Sequence, residues 1–253
     1  MTWRTVAASV IGTSHVLTGE ACQDSCWVSV DTDANGLEML SLFISDGAGS
    51  ALRGGVGAET AVETAAQFVS AKLSAPEFTL CDELAVECAM AVRDRIYLLA
   101  ENEGLKARDF ACTFLGVLSS SQGTLILQIG DGAVVVDVGN GLEVAVAPMM
   151  GEYANMTRFI TDEDAIDVIV SRFFDSRVMR VAAFSDGLQR LALNMAESTP
   201  FDPFFRPLFD ALTSATLDQT DELHCALLSF LNSNRVNELT DDDKSLAIAV
   251  FAD

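Results

Sequence analysis

Three apolar runs in this chain break at the same dipeptide. "SLFISDGAGS" breaks at Asp46-Gly47, "LILQIGDGAVVV" at Asp131-Gly132 and "RVAAFSDGLQRL" at Asp186-Gly187. Asp-Gly is ordinarily a turn, because Gly tolerates positive φ and Asp bonds its own backbone. The flanks of Asp131, "TLILQI" and "AVVVDV", predict a hairpin there. The other two runs are followed by helical patterns, not by returning strands. A carboxylate at the end of a buried strand is also a position from which a rigid scaffold aims a metal ligand. Three of them, from distant parts of the chain, can converge.

The acid content sharpens this. The chain has 37 Asp and Glu against 15 Lys and Arg, a formal net charge of −22. That balance disfavours nucleic acid, whose affinity rests on basic groups, and anionic membrane surfaces. It suits a cationic partner or a site that concentrates divalent metal. Half of the 253 residues are apolar, enough for a sizeable core. Cys22, Cys26, Cys81, Cys88, Cys112 and Cys225 show no zinc-type spacing and read mostly as buried small hydrophobes of a reducing compartment. The N-terminal stretch lacks a signal peptide's layout, and no run reaches the length of a membrane span. The expectation is a cytoplasmic protein.

Strands are expected at 3–11, 25–31, 37–45, 111–119, 124–130, 133–138, 142–147 and 178–184, with "SLAIAVFA" as the last. Helices are expected at 55–73 and 81–102 as an antiparallel pair separated at Pro76, at 163–173, and over 204–232. Pro200, Pro203 and Pro207 mark a candidate surface insertion, and the Phe-rich "FDPFFRPLFDAL" either covers the core, the preferred reading, or meets a partner. This order lacks the β-α-β alternation of a parallel doubly wound sheet. It predicts an α+β fold, antiparallel sheets with helices layered on them, in one domain spanning 1–253.

Asp24, in "CQDSCWV", and Asp242 and Asp243, in "TDDDKSLAIAV", add further acids at strand ends. With only two histidines, a soft-ligand zinc or iron site is poorly supplied. Hard oxygen ligands suit Mg²⁺ or Mn²⁺. Clustered carboxylates must carry cations or suffer raised pKa values. Two ions about 4 Å apart that activate a water are a recurring device for hydrolysis, and no protein nucleophile is evident. "GxSxG" and the P-loop pattern are both absent. "GGVGAETA" opens a helix, which fits either phosphate binding or close packing.

In order, "CQDS" (22–25), "SDGAGS" (45–50), "GA" (57–58), "ACTFLGVL" (111–118), "IGDGAVVV" (129–136), "GEYANMTRFIT" (151–161), "FSDGL" (184–188) and "DDKS" (242–245) resemble the metal-dependent serine/threonine protein phosphatases of type 2C. The likeness is closest to the bacterial branch with "DGAGS" and "GEYANxT", and it covers nearly the whole chain. It implies a four-layer α-β-β-α sandwich, two antiparallel sheets flanked by helix pairs. It implies two Mn²⁺ or Mg²⁺ ions at one end. Asp46 would bridge them and the Gly47 carbonyl would bind one. Asp186 and Asp242 would complete the other, and Asp24 would act through water. Asp131 would serve a third, weaker ion. Asp243 would stand behind the ligands.

The sequence departs from the family pattern in three places. Gly19 stands where an Arg grips the substrate phosphate, Gln23-Asp24 replaces a pair of acids, and Ala48 replaces a histidine proposed as general acid. His15 is a substitute proton donor, or a strand-end histidine bonded to backbone. Gln23, Ser50 and Arg53 are candidates to support the site or bind phosphate. Asn155 is expected to hold a loop. The implied reaction is hydrolysis of phosphoserine or phosphothreonine on a protein that a Ser/Thr kinase has modified. The missing Arg and His favour an alternative, a phosphatase fold that binds phosphorylated partners without turnover. The retained Asp46, Asp186 and Asp242 oppose it.

Overall fold

A computed structural model describes residues 1–75, 78–149, 157–216 and 219–252. In chain order the strands are β1 (Thr2–Val10), β2 (Asp24–Thr32), β3 (Glu38–Asp46), β4 (Phe114–Ser120), β5 (Gly123–Ile129), β6 (Ala133–Asp137), β7 (Leu142–Val146), β8 (Val170–Phe174), β9 (Arg180–Phe184), the two-residue β10 (Leu193–Asn194) and β11 (Thr199–Pro200), and β12 (Lys244–Ala252). The helices are α1 (Thr13–Thr18), α2 (Gly54–Leu73), α3 (Asp82–Glu103), α4 (Gln189–Ala192), α5 (Asp202–Ser214), α6 (Thr220–Leu231) and α7 (Asn234–Asn237).

Two five-stranded antiparallel sheets carry the fold, ordered β1-β12-β9-β6-β7 and β2-β3-β4-β5-β8. Three apolar layers account for the stacking. One packs α2 and α3 on the second sheet through Phe43, Phe114, Val62 and Val92. One lies between the sheets, built from Leu42, Val117, Val134 and Ala249. The third packs α5 and α6 on the first sheet through Phe184, Phe205, Phe209 and Leu231. The expected α-β-β-α sandwich is therefore present. Strands such as β4 and β5 are buried at all seven positions. Both of their faces are covered, so their sequences are continuous apolar runs without period-two alternation.

Several expectations fail locally. The chain does not turn back at Asp131-Gly132. β5 pairs with β4 and β8, while β6 pairs with β7 and β9, so the dipeptide carries the chain from one sheet to the other. The helix expected at 163–173 is a series of turns followed by β8, an edge strand on β5. Ladder bonds to β5 outweigh the helical spacing of its apolar residues. The helical stretch 204–232 divides into α5 and α6. Pro203 sits in the first turn of α5 and Pro207 inside it. The three prolines thus belong to a helix packed on the core and its approach, not to an insertion, and Phe204, Phe205 and Phe209 are buried as expected. The short α1 was not foreseen. It is closed by Gly19 in the left-handed conformation, and none of its residues is buried. Pro76 and Asn155 lie outside the described residues.

Candidate active site

The acids meet at one end of the sandwich because strands of both sheets end there. Asp24 opens β2 and Asp46 closes β3, and they are the terminal pair of that ladder. The residue just before β4 holds the same end in place. Thr113 N–H donates to the Asp46 carbonyl (2.8 Å), and Asp46 N–H donates to Thr113 Oγ1 (3.0 Å). The Gly47 N–H donates to the Gln23 carbonyl at 3.0 Å. A Cβ on Gly47 would stand 2.3 Å from the Gly54 carbonyl carbon, so only glycine lets the start of α2 close on the Asp46 turn.

The other sheet supplies the rest. Asp186 follows β9, and Asp242 precedes β12. Gly187 packs on the Asp243 carbonyl, which an added Cβ would approach to 2.0 Å. Ser245 N–H donates to Ser185 Oγ (2.9 Å), and that hydroxyl donates to Asp24 Oδ2 at 2.6 Å. One serine thus joins the two sheets at the cluster. Asp131, at the crossover, accepts from Thr157 Oγ1 at 2.7 Å, while its carbonyl accepts from Gln189 Nε2 at 2.6 Å.

The electrostatics follow from this crowding. Burial, with Asp24 and Asp186 beside it, holds Asp46 well above the ordinary carboxylate range. Burial, then Asp243 and Asp186, pushes Asp24 up to about 7 against the bond from Ser185. Burial, then Asp131 and Asp242, pushes Asp186 up to about 6. Burial likewise raises Asp242. Asp24 Oδ1 and Asp186 Oδ1 are buried without a hydrogen-bond partner. Two orphaned carboxylate oxygens among mutually repelling acids are a donor set that fits hard divalent cations. Among the described residues, no three His, Cys, Asp or Glu side chains stand close enough together to hold a metal ion as they are placed.

Asp243 has a different environment. It is 2% exposed, and its two oxygens accept from Gly12 N–H (2.6 Å) and Gln23 N–H (2.5 Å). His15 Nδ1 stands 3.0 Å from Asp243 Oδ2 without the alignment of a hydrogen bond, and Nε2 stands 3.8 Å from Glu20. The Gln23 side-chain oxygen is buried and unpartnered. Arg53 is not free for a phosphate, because its guanidinium pairs with Glu103 at 3.1 Å. Ser50 is exposed in the turn before α2. Sequence reasoning missed Ser185, whose role depends on a partner 161 residues away. It also missed Lys244, which is fully buried, donates to Asn237 Oδ1 at 2.8 Å, and is lowered by burial. "DDKS" gives no sign that this lysine points inward.

A two-sheet sandwich with strand-end acids at one edge defines a class. A family profile described as Protein phosphatase 2C matches residues 11–231, and the chain belongs to that family, as a phosphoprotein phosphatase. Serine/threonine-protein phosphatase 3 of Escherichia coli (strain K12) is 50% identical over 253 residues, all of both chains. The Mycobacterium tuberculosis serine/threonine phosphatase PstP/Ppp has a TM-score of 0.63 at 14% identity, over 100% of each chain. The PstP catalytic domain in complex with two manganese ions gives 0.62 at 14%, over 99% of each. Stp1 of Staphylococcus aureus gives 0.61 at 11%, over 99% of this chain and 96% of that one. At such identities the likeness is one of fold.

Proposed function

We propose that this chain hydrolyses phosphoserine and phosphothreonine on proteins, using two Mn²⁺ or Mg²⁺ ions and a third held more weakly. The observation that carries the reading is the cluster itself, with Asp24, Asp46, Asp131, Asp186 and Asp242 drawn from both sheets and two buried carboxylate oxygens unpartnered. Asp46, the Gly47 carbonyl, Asp186 and Asp242 would hold the two ions, and Asp131 the third. When bound, such ions neutralise charge on a phosphoryl group and lower the pKa of water.

The chain's own groups have separable tasks. Ser185 fixes one oxygen of Asp24, leaving the other to orient a water. Asp243 binds no ion in this reading. It locks the Gln23 and Gly12 backbones, and so sets where Asp24 begins its strand. His15, resting on Asp243, is the available proton donor for the leaving oxygen. Gln23 and Ser50 remain the polar groups offered to the phosphate, since Arg53 is held by Glu103. The 253 residues act as one catalytic domain in the cytoplasm, opposing a Ser/Thr kinase. Among the described residues, no helix is long and apolar enough to cross a membrane.

Ala48 and the occupied Arg53 favour the second reading, a phosphopeptide-binding protein without turnover. Hydrolysis of a phosphothreonine peptide in Mn²⁺ and in EDTA separates the two. Mn²⁺-dependent turnover that EDTA abolishes supports the enzyme. Binding of the peptide by folded, Mn²⁺-loaded protein without phosphate release supports the alternative.

A further inference from the structure

Away from the acids, α4, α5, α6 and α7 enclose a cavity of about 490 Å³ against the outer face of β1 and β12. Its size falls within the roughly 300–1,000 Å³ of small-molecule sites. Apart from Arg190 and Arg235, every residue lining it is apolar. No carboxylate lines it, although the chain carries 37 acids. Arg53, Arg158, Arg172 and Arg206 each pair with a carboxylate. Arg190 and Arg235 make no hydrogen bond or ion pair among the described residues. Two further lining residues, Phe201 (42% exposed) and Leu239 (54%), carry the apolar surface out to solvent.

This lining dictates the ligand's chemistry. Apart from the guanidiniums, its side chains offer no hydrogen-bond donor or acceptor, so polar atoms along the body of a ligand would be buried unpaired. The polarity must be confined to the part of the ligand that reaches Arg190 or Arg235, and an anionic group there meets guanidiniums without a partner among the described residues. We propose that this cavity binds a single-chain amphiphile, an alkyl chain inserted between α5 and α6 with its anionic head on Arg190 and Arg235. A fatty-acid carboxylate and an alkyl phosphate-type head share that chemistry.

Isothermal titration of the full chain tests this with four probes below their micelle concentrations: dodecanoate, dodecylphosphonate, dodecanol and dodecyltrimethylammonium. Saturable one-to-one binding is expected for an anionic probe, and the stronger of the two identifies the head. Arg190→Glu with Arg235→Glu should weaken that binding at least tenfold, and Ala211→Phe, which fills the cavity, should do the same. Should Ala211→Phe fail to melt cooperatively, the charge reversals, which lie on exposed positions, decide alone. Three results would overturn the proposal. They are no saturable binding of either anionic probe, equal binding of the ammonium probe, and affinity unchanged by charge reversal in folded protein.

Discussion

The Ser185 hydroxyl donates to Asp24 Oδ2 at 2.6 Å, a bond between residues on opposite sheets. Because Ser185 is itself positioned by the Ser245 N–H, the bond links three strands. Replacing the donor leaves a buried carboxylate oxygen unpaired, a loss of about 1–3 kcal/mol. Ser185→Ala should therefore lower stability by that order in chemical denaturation. It should also reduce kcat on a phosphothreonine peptide more than it raises KM, since it loosens Asp24 and not the peptide contacts.

Asp46→Asn removes the acid most crowded by the others. In the proposed centre it also removes the bridge between two ions. Mn²⁺-dependent turnover should fall at least about 100-fold, while the metal-free variant should melt no lower than the metal-free parent, because a buried repulsive charge is gone. Turnover near the parent's level would refute the bridging role.

The raised acids give the metal-free protein a defined pH response. Asp24, at about 7, and Asp186, at about 6, bind protons more tightly in the folded chain than at their ordinary value of 3.8. Their contribution to stability is complete below about pH 4 and is lost as pH rises through 6 to 7. In EDTA, the melting temperature of the parent should fall over that interval relative to Asp24→Asn. Saturating Mn²⁺ should reverse the fall, because cations then replace the protons. A flat difference between parent and variant in EDTA would count against it.

Gly187→Ala tests close packing. Its methyl group would meet the Asp243 carbonyl at 2.0 Å, so the turn after β9 must move away from the start of β12. The expected cost is about 1–3 kcal/mol. Mn²⁺ affinity should drop at least tenfold with it, measured by titrating activity against free metal.

The thiols should differ sharply in reactivity. Burial pushes Cys88 and Cys112 up to about 12, while Cys225 is exposed. A native-state thiol assay should detect one fast-reacting group that Cys225→Ser removes, and unfolding should reveal the rest.

Much of the fold was legible because long segments agreed with themselves. "AETAVETAAQFVSAKL" is rich in helix formers with one apolar face, and "TLILQI" has no competing helical period. The strand-end acids were legible too, since an apolar run that stops at Asp-Gly needs no tertiary knowledge to notice. What failed depended on partners elsewhere. "VSRFF" becomes β8 only because β5 offers a free edge, and Asp131-Gly132 is a crossover only because the sheets lie on either side of it. Lys244 and Ser185 gained their roles from residues that sequence distance conceals.

β12 comes last in the chain yet pairs between β1 and β9, in the interior of its sheet. The acids that precede it, Asp242 and Asp243, arrive with it. A ribosome-bound chain stopped before Asp242 therefore lacks an inner strand of one sheet, the anchor for the Gln23 backbone and one member of the cluster. One segment therefore completes both an inner strand of a sheet and the acid cluster at its end.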